Sequence, residues 1–309
     1  MRDTFVRTLI EIAKQDKDVL LVTGDLGFGV LKPYWEQLPN QFINIGIDEQ
    51  NMTGFAAGLS LEGKTVFTYS IGNFPTLRCL EQIRNDCAYH NANVKIVCVG
   101  GGFVYGALGM SHHATEDLGV MRALPGITIF APADLAEAEA ATWAIYKQPG
   151  TCYLRLGRGG EPRLHSSRVN EEDVLSAIKS NDGKDAVIFS TGAIADEVIE
   201  AIRMLKEKGL SIAHYTFPRL KPIDEKTISE CAEKYPYIFT VEEHNVIGGL
   251  GSAVAELLAE KKSIIATLKR IGVNDEYSSI VGTQKFLRRV YKIDSSAIAQ
   301  MIIDKQKNE

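Results

Sequence analysis

Apolar and polar residues along this chain follow two rhythms. Short runs, apolar at nearly every position, are separated by longer stretches in which apolar residues recur every three or four positions. The first kind is expected of strands buried on both faces, the second of helices laid against them. The pattern predicts a helix over Asp3–Gln15, strands over Val19–Thr23 and Phe42–Ile45, a helix over Gln50–Leu61 and a strand over Thr65–Ser70. It continues with a helix over Leu77–Tyr89, a strand over Val94–Val99, a glycine-rich loop, a helix over Glu116–Arg122, a strand over Ile127–Ala131, a helix over Leu135–Tyr146 and a strand over Thr151–Leu156.

After Leu156 the periodicity fades into Gly-Arg-Gly-Gly-Glu-Pro and later Lys-Ser-Asn-Asp-Gly-Lys, clusters that mark a connector. A second alternating unit then predicts strands over Ala186–Ser190, Ser211–Thr216, Ile238–Glu242 and Ile264–Ile271. Its helices fall at Ala195–Lys208, Glu225–Lys234, Leu250–Lys261 and Ser295–Lys305. The alternation argues for an α/β fold of two doubly wound domains, residues 1–160 and a smaller 185–309, joined by a linker at 161–184.

Composition narrows the function. The chain has 309 residues and a formal net charge of −5, with Lys and Arg scattered, so it carries no basic field for nucleic acid or an anionic membrane surface. Its five cysteines are widely spaced and form no Cys-x-x-Cys pair, which argues against a disulfide framework or a zinc knuckle and for buried thiols in a reducing compartment. The start Met-Arg-Asp-Thr-Phe-Val lacks an apolar signal core and no apolar run approaches a membrane span, so the cytoplasm is expected.

The most telling residue is Glu49, in Gly46-Ile-Asp-Glu-Gln-Asn-Met-Thr-Gly-Phe-Ala-Ala-Gly-Leu-Ser60. Ala56, Ala57, Gly58 and Ser60 make a thin helix able to approach another backbone closely, which would drive Glu49 into a dry site and raise its pKa. The alternative is an ordinary acid in a first helical turn, solvated and opposing the helix dipole.

A second block sharpens the picture: Gly106-Ala-Leu-Gly-Met-Ser-His-His-Ala-Thr-Glu-Asp-Leu118, followed by Arg122-Ala-Leu-Pro-Gly-Ile-Thr-Ile-Phe-Ala-Pro-Ala-Asp134. Together the two blocks resemble the thiamine diphosphate enzymes of the transketolase family, in their pyrimidine-binding and C-terminal domains, along essentially the whole chain. The resemblance implies that Glu49 hydrogen-bonds the N1′ nitrogen of the cofactor's aminopyrimidine and that Phe74, or else Tyr69, lies under that ring. It places Asp25 close to the cofactor. His112 becomes the residue that contacts the donor ketose and shuttles protons, and Arg158, with Arg155 as substitute, the grip on a substrate phosphate; the alternative for either arginine is pairing with an acid at the domain junction. Adjacent histidines usually point to different sides, which disfavours a metal site on His112 and His113, and no metal ligand is assigned to this chain. One departure is Leu108, where ordinary transketolases carry an aspartate that reads a substrate hydroxyl; leucine cannot accept that bond, so the acceptor sugar is expected to differ. Gly248-Gly-Leu-Gly251 superficially suggests a nucleotide loop but reads as tight helix packing.

The family's Gly-Asp-Gly signature for binding the diphosphate through Mg²⁺ is missing. The resemblance therefore implies the C-terminal subunit of a split transketolase. A separate N-terminal subunit would hold the diphosphate and Mg²⁺, and two chains of each kind would form a heterotetramer around a dimer core. The pair would transfer a two-carbon ketol unit from a ketose phosphate to an aldose, and this chain alone would be inert. Two alternatives stay open: the β subunit of a 2-oxo acid dehydrogenase E1 component, which would depend on a lipoyl acceptor, and a non-catalytic homologue.

Overall fold

The computed structural model describes residues 1–165, 167–261 and 266–307. Among the described residues, twelve strands form two sheets. In chain order they are β1 (Val19–Thr23), β2 (Phe42–Asn44), β3 (Thr65–Ile71), β4 (Val94–Val99), β5 (Thr128–Phe130), β6 (Cys152–Leu156), β7 (Ile178–Asn181), β8 (Ala186–Thr191), β9 (Ile212–Thr216), β10 (Arg219–Lys221), β11 (Tyr237–Asn245) and β12 (Thr267–Val273). The first sheet has the order β10-β5-β6-β4-β3-β1-β2 and the second β12-β11-β8-β9-β7. Pairing is parallel except at one edge of each sheet, where β10 meets β5 and β7 meets β9 antiparallel. The expected α/β, two-domain architecture is what forms.

The strands follow from their side chains. Every residue of β1, β4, β6 and β8 is buried, and alternate positions serve opposite faces, as a period of two requires. In β4, Val97 and Val99 pack with Phe5 and Leu9 of the helix Arg2–Gln15, while Val94, Ile96 and Cys98 face the helix Glu49–Leu61 and its neighbours. The latter core continues through Leu118 and Ile129 into Val187, Phe217 and Leu250 of the second unit, so both domains share one interior.

Several segments depart from the sequence pattern. Leu77–Tyr89, expected as one helix, runs as a 3₁₀ turn (Leu77–Cys79), a short α turn (Leu80–Gln82) and a π-helical stretch (Ile83–Ala88). β7 falls in the stretch read as linker yet belongs to the second sheet, and β10 leaves the second unit to complete the first. Helices at Lys32–Gln37 and Gln284–Val290 have no counterpart in the pattern. The pattern starts the last strand at Ile264, which with Ile265 lies outside the described residues; β12 is observed from Thr267. In the thin helix Ala56 and Ala57 are buried, but Gly58 is exposed and a Cβ there would meet nothing within 4 Å.

Candidate functional site

In a parallel sheet the strand ends gather at one rim, and loops there place side chains from distant stretches together. The carboxyl ends of β1, β2, β3, β4 and β6 lead respectively to Asp25, Asn44, Phe74, the glycine-rich loop and Arg158. Glu49 opens the helix Glu49–Leu61, whose cap is Asp48 accepting from the amide of Asn51. Although Glu49 stands in the first turn, it is only 3% exposed, which rules out the solvated-acid alternative. It is walled by backbone: a Cβ on Gly24 would lie 3.2 Å from the Gly46 carbonyl oxygen and 3.6 Å from Glu49 Cγ.

A carboxylate so buried requires a partner. Glu49 Oε2 accepts from Arg78 Nη1 at 2.7 Å, and the Arg78 guanidinium carbon lies 4.5 Å from the centre of the Phe74 ring. Phe74 in turn meets His112 edge-on, with ring centres 5.1 Å apart. The order Glu49, Arg78, Phe74, His112 is thus one continuous row of contacts. Gln50 Nε2 donates to the Arg78 carbonyl oxygen, fixing the base of that side chain. Sequence reasoning brings Glu49, Phe74 and His112 to one place but misses Arg78; the available signal is a cation four residues beyond a candidate stacking aromatic.

Tyr69, the other candidate for the aromatic shelf, is corrected by the structure. It is buried within β3, stacked on Phe5 with ring centres 6.1 Å apart at 11°, whereas Phe74 lies in the turn beyond the strand. The alternation along β3 sends it into the core under the first helix. Asp25 is exposed at φ +55°, and it and Asn44 bond reciprocally: the Asp25 amide donates to Asn44 Oδ1 and Asn44 Nδ2 donates to Asp25 Oδ1, both at 3.0 Å.

The two histidines do diverge. His113 is buried, its Nε2 3.2 Å from the Gly106 carbonyl oxygen and its ring edge-on to Phe103. His112 is half-buried with Nδ1 3.0 Å from Ser111 Oγ. Burial and then the neighbouring His113 push its pKa below the ordinary value, so it is neutral near physiological pH.

Arg158 is exposed, its guanidinium 5.5 Å from the centre of the Tyr105 ring in the glycine-rich loop. Arg155 takes the other role open to it, pairing with an acid: it is buried, with Nε donating to Asp117 Oδ2 at 2.8 Å and Nη2 to the carbonyl oxygens of Ala114 and Glu243. It ties the His112 loop to β11. The second domain supports that loop again, since Glu243 Oε1 accepts from the Phe103 amide and Arg288 holds Glu243 Oε2 at 2.7 Å. A Cβ on Gly106 would lie 2.4 Å from Leu287, so the loop is pressed onto the helix Gln284–Val290. Leu108, at the departing position, is exposed.

Two other features carry no ligand chemistry. Asp134, Glu137 and His165 bring potential ligand atoms within 4.8 Å of one another. Those atoms are already engaged: Asp134 accepts from the amides of Glu137, Leu164 and His165, and Glu137 from the Ala133 amide, His165 Nε2 and Thr216 Oγ1. The trio clasps the connector against both domains. The Gly248–Gly251 run lets a helix seat closely, for a Cβ on Gly248 would lie 2.9 Å from Gly119 Cα. All five cysteines are free and buried, and among the described residues no helix is long and apolar enough to cross a membrane.

Known proteins share this two-domain fold. Residues 1–161 match the transketolase pyrimidine-binding domain and 176–298 the transketolase C-terminal domain. The chain is 36% identical over 304 residues to one subunit of the apulose-4-phosphate transketolase of Phocaeicola vulgatus, covering 98% of this chain and 96% of that one. It is 36% identical over 314 residues to a putative transketolase C-terminal section of Methanocaldococcus jannaschii, covering 100% and 97%. Among solved structures, a split-gene transketolase described as an inactive beta4 tetramer superposes with a TM-score of 0.86 at 34% identity, covering 98% and 96%. With both domains matched and the likeness running the length of the chain, this protein belongs to the transketolase family.

Proposed function

We propose that this chain supplies the aminopyrimidine half of a thiamine diphosphate site and works as the C-terminal subunit of a two-subunit transketolase, moving a two-carbon ketol unit from a ketose phosphate to an aldose. The observation that carries this reading is the buried carboxylate of Glu49, paired with the planar guanidinium of Arg78 that lies over the Phe74 ring. A slot with an acid at one end and an aromatic face along one side fits an aminopyrimidine. Glu49 would hold the ring nitrogen, Phe74 would support the ring, and Asp25 stands at the neighbouring strand end. When bound, thiamine diphosphate supplies a carbon acid able to cleave and remake bonds beside a carbonyl.

The chain's own contributions are positional and protonic. Glu49 offers a strong hydrogen bond at Oε2 because water is excluded around it. His112, neutral and anchored through Nδ1, presents Nε2 to take or return a substrate proton. Arg158 offers a guanidinium for a bidentate hold on the sugar phosphate. Leu108 removes a hydroxyl reader and shifts the acceptor preference.

A partner subunit would bring the diphosphate-binding half and Mg²⁺, in a heterotetramer built on a dimer of this chain, in the cytoplasm. Relatives of the same length that are named as subunits support this division. The test is ketol transfer by the chain mixed with a candidate diphosphate-binding subunit. Glu49→Ala should lower turnover by roughly 10²–10⁴-fold, and the isolated chain should be inert. Unchanged turnover in the variant, or transfer by the chain alone, would refute the assignment.

A further inference from the structure

Resting on the function proposed above, we infer that Arg78 is a built-in occupant of the slot between Glu49 and Phe74, holding the place of the flat ligand and leaving when that ligand binds. Three contacts carry this. Arg78 Nη1 donates to Glu49 Oε2 at 2.7 Å. Its guanidinium carbon is 4.5 Å from the Phe74 ring centre. Its side chain is 46% exposed while Glu49's is 4% exposed, so the cation reaches in from solvent to cap an interior acid. A guanidinium is planar, donates hydrogen bonds along its edge and stacks through its face. An aminopyrimidine is likewise planar and would stack on the same ring while its ring nitrogen shares a proton with the same acid, so the two occupants cannot be held at once.

The arrangement has two physical consequences. Without ligand, the Glu49 carboxylate keeps a charged partner, which avoids leaving a lone ion in a dry site. With ligand, part of the binding free energy goes into displacing Arg78, so the apparent affinity falls by the fraction of molecules in which the slot is open. Because the Arg78 side chain is 46% exposed, its guanidinium is rehydrated as it leaves, and a ligand that takes over the bond to Glu49 leaves no lone charge in the dry site. The bond from the Gln50 side-chain amide to the Arg78 carbonyl oxygen leaves the guanidinium free to swing without disturbing its own turn.

The slot lies wholly within this chain, so the test uses the intact chain with thiamine as probe, titrated calorimetrically, beside thiamine diphosphate with Mg²⁺ in the reconstituted pair. Arg78→Ala should bind thiamine about three- to tenfold more tightly than the wild type. Arg78→Lys, which can pair with Glu49 but has no flat face, should fall between them, and the gain should vanish when Glu49→Ala is added. Thermal midpoints confirm that each variant is folded. If the wild-type pair binds thiamine diphosphate but Arg78→Ala gains nothing or binds more weakly, the occupant role is overturned while the functional reading stands. If thiamine binds no form of the chain, methylguanidinium decides. Binding to Arg78→Ala but not to the wild type upholds the occupant role against the thiamine reading; binding to neither overturns it.

Discussion

Arg155 offers the sharpest test of how the loop carrying His112 is held. Its guanidinium is 5% exposed and makes three hydrogen bonds: to Asp117 Oδ2, to the Ala114 carbonyl oxygen and to the Glu243 carbonyl oxygen. Arg155→Met keeps the bulk and removes the charge. Asp117, fully buried, would retain only the Tyr153 hydroxyl at 2.6 Å, because its Oδ1 has no partner. Removing one member of a buried ion pair costs about 3–5 kcal/mol, since the other charge is left uncompensated. At about 2 °C per kcal/mol for a chain of this size, the melting temperature should fall by roughly 6–10 °C. Adding Asp117→Asn removes the stranded charge and should recover a large part of that loss, a coupling between contacting residues that a cycle of single and double variants measures. A fall of less than about 2 °C, with a raised KM for the sugar phosphate in the reconstituted pair, would refute the structural role and return Arg155 to the substrate.

Three further outcomes can be checked on the isolated chain. The hydrogen bond from His165 to Glu137 raises the histidine pKa above its ordinary value, so its contribution is full below the unfolded value of about 6.5 and disappears as pH rises through the raised folded value. The difference in melting temperature between wild type and His165→Gln should therefore shrink between about pH 6 and pH 8, and a difference that grew would contradict the assignment. Gly248→Ala should destabilise by about 2 kcal/mol or more, because φ is +87° and the new methyl meets the Gly119 backbone at 2.9 Å; a variant melting within about 1 °C of wild type would contradict that packing. Burial pushes the Cys87 and Cys98 thiols up to about 12, so a thiol reagent near pH 8 should leave both untouched until the chain unfolds. Labelling of either in the native state would show that its segment opens.

The parts legible in the sequence are those whose local pattern and tertiary role agree. Val94–Val99 reads as a buried strand because it is one, and Glu49 draws notice because a carboxylate at the head of a helix of alanines and glycines is unusual company. Where the structure differs, a distant partner decides. Arg219-Leu-Lys221 is a strand only because β5 offers an edge, and of its three residues only Leu220 is buried. The helix Gln284–Val290 is hidden because Arg288, a charged residue in a polar string, is an interior residue there, paired with Glu243 and Asp196. Tyr69 and Phe74 are indistinguishable as shelves until the end of β3 is known, since Tyr69 lies inside the strand and packs on Phe5 while Phe74 lies in the turn beyond it. The pairing of Glu49 with Arg78 spans 29 positions, which no periodicity reports.

The excursion of β10 into the first sheet bears on how this protein could be taken apart or recombined. A fragment ending in the connector would lose the strand that covers Thr128–Phe130, leaving a bare row of amides and carbonyls beside an apolar face, a template for pairing with other chains. The later fragment would carry Leu220 out of the shared interior and into water. Neither half is therefore an interchangeable cassette. A chimera with a relative would have to import the returning strand together with the sheet it closes, and natural exchange between such genes should respect that seam.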